Sequence, residues 1–339
     1  LKKIPSNIII SRTDSIGDVV LTLPVAAVLK KNFPEMKIAF MGRPYTKPVI
    51  EACEYVDEFI DATDFLNNKI TVAGESPQAI IHVFPAAAIA TRAKHLRIPL
   101  RIGTTNRLYH WFTCNELVKL SRKNSSLHEA QLNLALLKPF GINENFSLQK
   151  ISELIGMNKI ETLNENFASL ISVEKYNLII HPKSQGSGRE WPLENFIELI
   201  KMLDIKRFNI FISGTEKEYA ALKPLFAQVG DRVTNIAGKM SLAQFISFIK
   251  KCDGLLANST GPLHIAAALG RDAFGIYVPL RPIHPGRWAP VGPKTKIFVR
   301  DEICEKCKGP DNSCACILQI NALAVKAALD KASEGIQIL

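Results

Sequence analysis

Three times along this chain a short apolar run leads into a polar, glycine-containing loop and then into a segment of helical periodicity. That recurring order narrows the available folds more than any other feature. Asn7 to Ser11, with Ile8-Ile9-Ile10 at its centre, has no polar alternation and suits a strand covered on both faces of a parallel sheet. Val19 to Phe33 carries a helical pattern that stops before Pro34. Lys37 to Met41 and Ala79 to Phe84 read as further strands, and Leu127 to Phe140 as a helix stopped by Gly141. Residues 142–174 are polar and weakly patterned, the best candidate for a linker.

The pattern then restarts. Strands are predicted at Tyr176 to His181, Arg207 to Ser213, Val233 to Ala237, Gly254 to Ala257 and Ala273 to Val278. Helices are predicted between them at Pro192 to Leu203, Glu216 to Gln228, Ser241 to Lys251 (with Ser241 as its cap) and Pro262 to Leu269. Alternation of this kind implies βαβ units around parallel sheets. The expectation is an α/β chain of two doubly wound domains, 1–160 and 175–318. A terminal segment, 319–339, follows, whose helix could pack back on the N-terminal domain. A length of 339 residues suits two such domains.

No apolar run approaches the roughly 18 residues of a membrane-spanning helix. The basic stretch before Ile8 is short and lacks a small-residue cleavage site, so the expected location is cytoplasmic. A formal charge of +10 bears on partners rather than on fold. Arg92, Lys94, Arg97, Arg101, Arg107, Lys119, Arg122 and Lys123 gather in the first half. They read either as a solvated surface or as a face for anionic lipid headgroups or a phosphorylated acceptor. Nucleic acid is not expected, because no binding motif accompanies the charge.

In open α/β sheets ligands bind beyond the carboxyl ends of strands, where helix N-termini present free amides. Three loops occupy such places. Ser11-Arg12-Thr13-Asp14-Ser15-Ile16-Gly17-Asp18 follows the first strand. Asp18 either complements the dipole of the next helix or is a carboxylate held to accept a hydroxyl proton. His181-Pro182-Lys183-Ser184-Gln185-Gly186-Ser187-Gly188-Arg189-Glu190-Trp191-Pro192 offers amides, hydroxyls and two cations to a diphosphate, without the order of a Walker loop. Asn258-Ser259-Thr260-Gly261-Pro262-Leu263-His264 turns from a strand into a helix whose first amides suit an anion. His264, one turn in, reads either as a packed histidine or as part of that site.

These three loops, in this order, resemble glycosyltransferase family 9, the bacterial heptosyltransferases of lipopolysaccharide core assembly. The likeness rests on Arg12-Thr-Asp-Ser-Ile-Gly-Asp-Val-Val-Leu-Thr-Leu-Pro24, on His181-Pro to Trp191-Pro192, and on Ser259-Thr-Gly-Pro-Leu-His264 with Ala266-Ala-Ala-Leu-Gly270. The loop from Pro279 to Pro290 is also similar. The resemblance implies a GT-B fold, two Rossmann-like domains facing across a cleft, with the acceptor on the N-terminal side and a nucleotide-sugar donor on the C-terminal side. It further implies inverting transfer of heptose from ADP-heptose to a lipopolysaccharide core or related glycolipid, with no cofactor and no metal. The basic first half would suit an anionic glycolipid acceptor bound peripherally at the inner face of the inner membrane. Carried onto this chain, Asp18 is the general base, and Arg12, Ser15 and Gly17 belong to the acceptor side. Lys183, Ser184, Arg189, Glu216, Ser259, Thr260, Gly261 and His264 bind the donor. One position departs: Ser259 stands where the family typically has an acid, which bears on the identity of the donor sugar. Another nucleotide sugar, a polysaccharide acceptor, a non-catalytic sugar- or lipid-binding relative and an epimerase of the same architecture are the competing readings.

Cys53, Cys114 and Cys252 sit in apolar segments and are expected to pack as small hydrophobes. Cys304, Cys307, Cys314 and Cys316 are spaced either for a zinc knuckle or for a metal-free structural cluster.

Overall fold

The computed structural model describes residues 4–122, 125–184, 186, 188–280, 283–300 and 315–335. The chain divides into two compact units, Leu1–Lys159 and Ile160–Leu339. In the first, β1 (Asn7–Ser11), β2 (Lys37–Gly42), β3 (Glu58–Asp61), β4 (Ala79–His82), β5 (Leu100–Thr104) and β6 (Glu116–Val118) form one sheet in the order β3-β2-β1-β4-β5-β6. In the second, β7 (Tyr176–His181), β8 (Phe208–Ile212), β9 (Val233–Asn235), β10 (Gly254–Asn258), β11 (Asp272–Ile276) and β12 (Thr295–Phe298) are ordered β12-β11-β10-β7-β8-β9. Counted from its own first strand, each sheet has the order 3-2-1-4-5-6 of the dinucleotide-binding fold. Every strand pairing is parallel.

Burial on both faces explains the composition of the central strands. Ile8, Ile9 and Ile10 are fully buried, as are Leu178, Ile179 and Ile180 of β7 and Leu255, Leu256 and Ala257 of β10. The edge strands of the first sheet were not read from sequence. Glu58–Asp61 and Glu116–Val118 are short and partly exposed, so they lack the apolar run that marks a centre strand.

Several helices differ from the predicted spans. Val19 to Phe33 is two helices, Ile16–Val20 and Leu23–Asn32. Pro24 has no amide to continue the first ladder, and Thr22 Oγ1 turns back to the carbonyl of Asp18 at 2.7 Å. Leu127 to Phe140 is an α-helix, Glu129–Leu134, running into a 3-10 turn around Pro139. Gly141 ends it in the left-handed region, at φ 80°, as its position suggested. The supposed linker is partly structured. Phe146, Ile151, Leu154, Ile155, Met157 and Leu163 are buried, and Met157 bridges to Cys53.

The last helix, Ala322–Ser333, is part of the second unit. It packs on the helix Leu193–Met202, and Val325 and Leu329 share a core with Phe196, Leu199 and Ile200. The indole of Trp191 donates to the carbonyl of Ile320 at 3.1 Å, tying the chain end to the loop after β7. Leu329 is fully buried. Leu329→Ala is therefore expected to destabilise the second unit by about 2–5 kcal/mol, read as a lower urea midpoint at unchanged slope. A loss below about 0.5 kcal/mol would show that this helix is dispensable to that core.

Candidate functional site

Each sheet reverses its strand order beside its first strand, between β1 and β4 and between β7 and β10. At such a switch point the connections leave in opposite directions and open a crevice at the carboxyl edge. All three loops singled out in the sequence leave strands that flank these points.

In the first unit the loop after β1 is organised by Arg12, whose side chain is only 3% exposed. Its guanidinium meets Asp14 at 2.7 Å and Glu129 at 3.1 Å, and also pairs with Asp18. Burial disfavours the guanidinium's charge, but the three carboxylates outweigh that and raise its pKa, so it stays protonated. Glu129 is shared with Arg122, 2.9 Å away, whose guanidinium also bonds the carbonyl of Val83 and Oδ1 of Asn133. Asn133 in turn donates to the carbonyl of Leu21 at 3.1 Å, just past the helix that carries Asp18. The network pins that helix at both ends. Removing one member of such a buried set leaves a charge uncompensated.

Asp18 lies in the first turn of Ile16–Val20, with one oxygen taken by Arg12 and its side chain 17% exposed. It is held, yet reachable. Ser15 is the exposed N-cap residue of that helix, without a side-chain cap bond, and Gly17 is buried in its first turn. Sequence reasoning missed Asp14. Burial and the neighbouring charge of Asp18 push its carboxyl up to about 7, against the pull of Arg12. Tyr45 donates to the Asp14 carbonyl at 2.6 Å.

Nearby, at the ends of β1 and β4 and on the short helix after β5, Ser11 Oγ, both ring nitrogens of His82 and Nε2 of His110 are buried with no hydrogen-bond partner among the described residues. The two rings stack at 5.6 Å, and burial pushes His82 down to about 3, so it is neutral. Among the basic residues assigned to the surface, Arg92, Arg101 and Arg122 instead bond inward to carbonyls or Glu129. Lys94, Arg97, Arg107 and Lys119 are exposed. Lys123 lies outside the described residues.

In the second unit, Asn258 at the end of β10 joins two of the loops. It is fully buried, accepts from the amide of Trp191 at 2.8 Å and donates to the carbonyl of Pro182 at 2.6 Å. The loops touch again at Gly188, where a Cβ would stand 2.9 Å from the carbonyl oxygen of Ser259. Only glycine allows that approach. Within the loop, Lys183 pairs with Glu190, and the Ser184 amide donates to the same carboxylate at 2.8 Å. The Ser184 hydroxyl lies 3.1 Å from it. An ammonium, an amide and a hydroxyl thus converge on one anionic group, the donor set a phosphate oxygen requires. Glu190 was not singled out in the sequence, although it directly follows Arg189, which is partly buried.

Thr260 precedes the helix Gly261–Ala268 as its N-cap, but its side chain makes no cap bond. Its Oγ1 is buried and has no hydrogen-bond partner among the described residues. A buried hydroxyl beside helix N-terminal amides can donate to an acceptor atom of an anion. His264 is buried in the first turn of that helix. Ser259 is hydrogen-bonded to Tyr277, and Tyr277 Oη donates to the carbonyl of Trp288 at 2.9 Å. The serine in the acid's place is therefore engaged with the loop around Trp288. Glu216 is exposed at the start of the helix Glu216–Val229, while Glu218 makes the capping box with Thr215. His181, at the end of β7, is kept neutral by burial and lies 2.9 Å from Ser213 Oγ.

Cys53 and Cys252 are buried and pack as expected. Burial pushes the Cys53 and Cys114 thiols up to about 11. Cys304, Cys307 and Cys314 lie outside the described residues, and Cys316 is buried. Among the described residues no cluster of three or more His, Cys, Asp or Glu side chains is placed to hold a metal ion.

The Asp14 environment has a consequence for stability. The folded state binds this proton more tightly than the unfolded chain, so stability falls as pH rises from about 4 through about 7. Asp14→Asn removes that loss. Its Tm should exceed that of the wild type above neutral pH and converge with it in acid. Parallel Tm curves for the two proteins over this range would contradict the assignment.

Comparison with known proteins agrees with this arrangement. Residues 83–318 match the family described as glycosyltransferase family 9 (heptosyltransferase). The lipopolysaccharide core heptosyltransferase OpsX of Haemophilus influenzae is 23% identical over 296 residues, spanning 82% of this chain and 81% of that protein. Among solved structures, the family 9 glycosyl transferase of Veillonella parvula superposes with a TM-score of 0.81 at 17% identity, over 98% of each chain. The E. coli ADP-heptose lipopolysaccharide heptosyltransferase II does so with a TM-score of 0.74 at 18% identity, over 97% of this chain and 98% of that one. The fold is GT-B, and the chain belongs to glycosyltransferase family 9.

Proposed function

We propose that this glycosyltransferase moves heptose from ADP-heptose onto a lipopolysaccharide core or related glycolipid, with inversion and without a metal. The observation that carries the donor side is the meeting of two loops at the switch point of the second sheet. Lys183, Ser184 and Arg189 come from one, and Thr260, with its buried, unpartnered hydroxyl, opens the helix on the other. A departing diphosphate would meet a cation, backbone amides and a helix N-terminus, all preorganised before the charge develops. Glu190 holds these donors together until a ligand shares them. Glu216, exposed at the start of its helix, is assigned to the nucleotide ribose.

In the first unit Asp18 takes the proton of the acceptor hydroxyl. Arg12 holds one carboxylate oxygen, which fixes the direction of the other. Arg12 is thus a positioning residue, and Glu129 and Arg122 position it in turn. The exposed cations Lys94, Arg97, Arg107 and Lys119 suit an anionic acceptor. They also support peripheral attachment at the inner face of the inner membrane. Among the described residues no helix is long and apolar enough to cross a membrane.

A positioned base contributes roughly 10²–10⁴-fold to rate. Asp18→Asn is expected to lower kcat for heptosyl transfer by that factor while ADP binding, followed by calorimetry, stays as in the wild type. Turnover near the wild-type rate would remove Asp18 as the base.

A further inference from the structure

Beyond the transferase chemistry, we infer that the turn Arg107–Phe112 of the first unit is an anchor that inserts into an anionic bilayer surface. Leu108, Trp111 and Phe112 are 77%, 57% and 68% exposed, three large apolar side chains within five residues. Their spacing places them together. His110, Trp111 and Phe112 donate backbone bonds to Arg107, Leu108 and Tyr109 at 3.0, 3.1 and 3.2 Å, so positions 108, 111 and 112 share one side of a helical turn. The opposite side is the buried one, carrying His110 and Thr113. The amphipathic pattern is thus turned outward. The Trp111 indole nitrogen donates to the carbonyl of Thr105 at 3.0 Å, which holds the ring in place while leaving its edge in solvent.

Charge says what covers this cluster. From Ser76 to Asn115 the sequence contains no Asp or Glu, while it carries Arg92, Lys94, Arg97, Arg101 and Arg107. Arg92 and Arg101 are spent on internal carbonyls, and Lys94, Arg97 and Arg107 are exposed. Lys94 lies on the helix Ala87–His95, which packs against His110–Thr113. Aromatic and leucine side chains, with cations on the same turn and on the helix packed against it, match the two layers of an anionic membrane interface. Headgroup phosphates face the cations, and the rings sit at the boundary with the acyl chains. A second copy fits less well, because a two-fold contact would set these cations against their own equivalents.

The inference rests on the proposed glycolipid acceptor only for its purpose, since binding to vesicles needs no sugar. The test is co-sedimentation of the full chain with vesicles of phosphatidylglycerol and phosphatidylcholine, against phosphatidylcholine alone. Binding is expected to the anionic vesicles, falling as salt rises, with a blue shift of tryptophan emission that Trp111→Phe removes. The double variant Trp111→Ser, Phe112→Ser should bind at least about tenfold more weakly, with wild-type circular dichroism and Tm. Lys94→Gln and Arg107→Gln should each weaken binding roughly fivefold. Transfer to a soluble, lipid-free core oligosaccharide should be the same in the double variant as in the wild type, which separates the anchor from the transferase reading. Absence of binding by the wild type overturns the inference, as does undiminished binding by the double variant. A concentration-dependent dimer lost in that variant, without vesicle binding, also overturns it and assigns the cluster to a second copy.

Discussion

A parallel sheet covered on both faces leaves a ligand only one way in, at the carboxyl ends of its strands, and this constraint shapes both halves of the chain. Ile8 to Ile10 and Leu178 to Ile180 are wholly buried, so the central strands contribute nothing to chemistry themselves. What they do is deliver loops to an edge. Reversal of strand order beside β1 and β7 opens that edge at a defined point, and the loops with the chemical side chains leave from there.

The two edges are prepared in opposite electrostatic senses. In the first unit a buried guanidinium gathers three carboxylates, and one of them, Asp18, has a side chain that is still partly exposed. The excess of acid over base within that cluster is relieved at Asp14, whose carboxyl is pushed up to about 7. In the second unit Lys183 and the Ser184 amide hold a carboxylate, and Thr260 presents a hydroxyl with nothing to bond among the described residues. Sugar transfer from a nucleoside diphosphate demands a proton acceptor and an anion receptor, the two roles proposed for Asp18 and for the loops after β7 and β10.

Much of this could be read along the sequence, because strand, polar loop and helix start follow one another locally. The loops after β1, β7 and β10 are contiguous, and Ser241 caps its helix as its position suggested. Less visible were features made by distant residues. Glu129 reaches Arg12 across 117 positions, so the network that orients Asp18 has no local signature. Arg122 looked like a surface cation for the same reason. The break at Thr22 was legible in Pro24, but the apolar periodicity on either side masked it. Leu108, Trp111 and Phe112 drew no reading from the sequence, and spacing of three and four residues ordinarily marks a core face. Only the burial of His110 and Thr113 reveals that this turn faces outward.

The serine at position 259 bears most directly on the donor. Its hydroxyl is engaged with Tyr277, which is bonded to the Trp288 carbonyl, so position 259 supplies a neutral hydrogen-bonded chain rather than an acid. The decisive measurement is a thermal-shift series with ADP-heptose and with GDP-, UDP- and CMP-sugars, since a ligand that binds only the folded state raises its stability with concentration. The account predicts a rise in Tm with ADP-heptose and none with the other three. A rise with a GDP-, UDP- or CMP-sugar in place of ADP-heptose would contradict it.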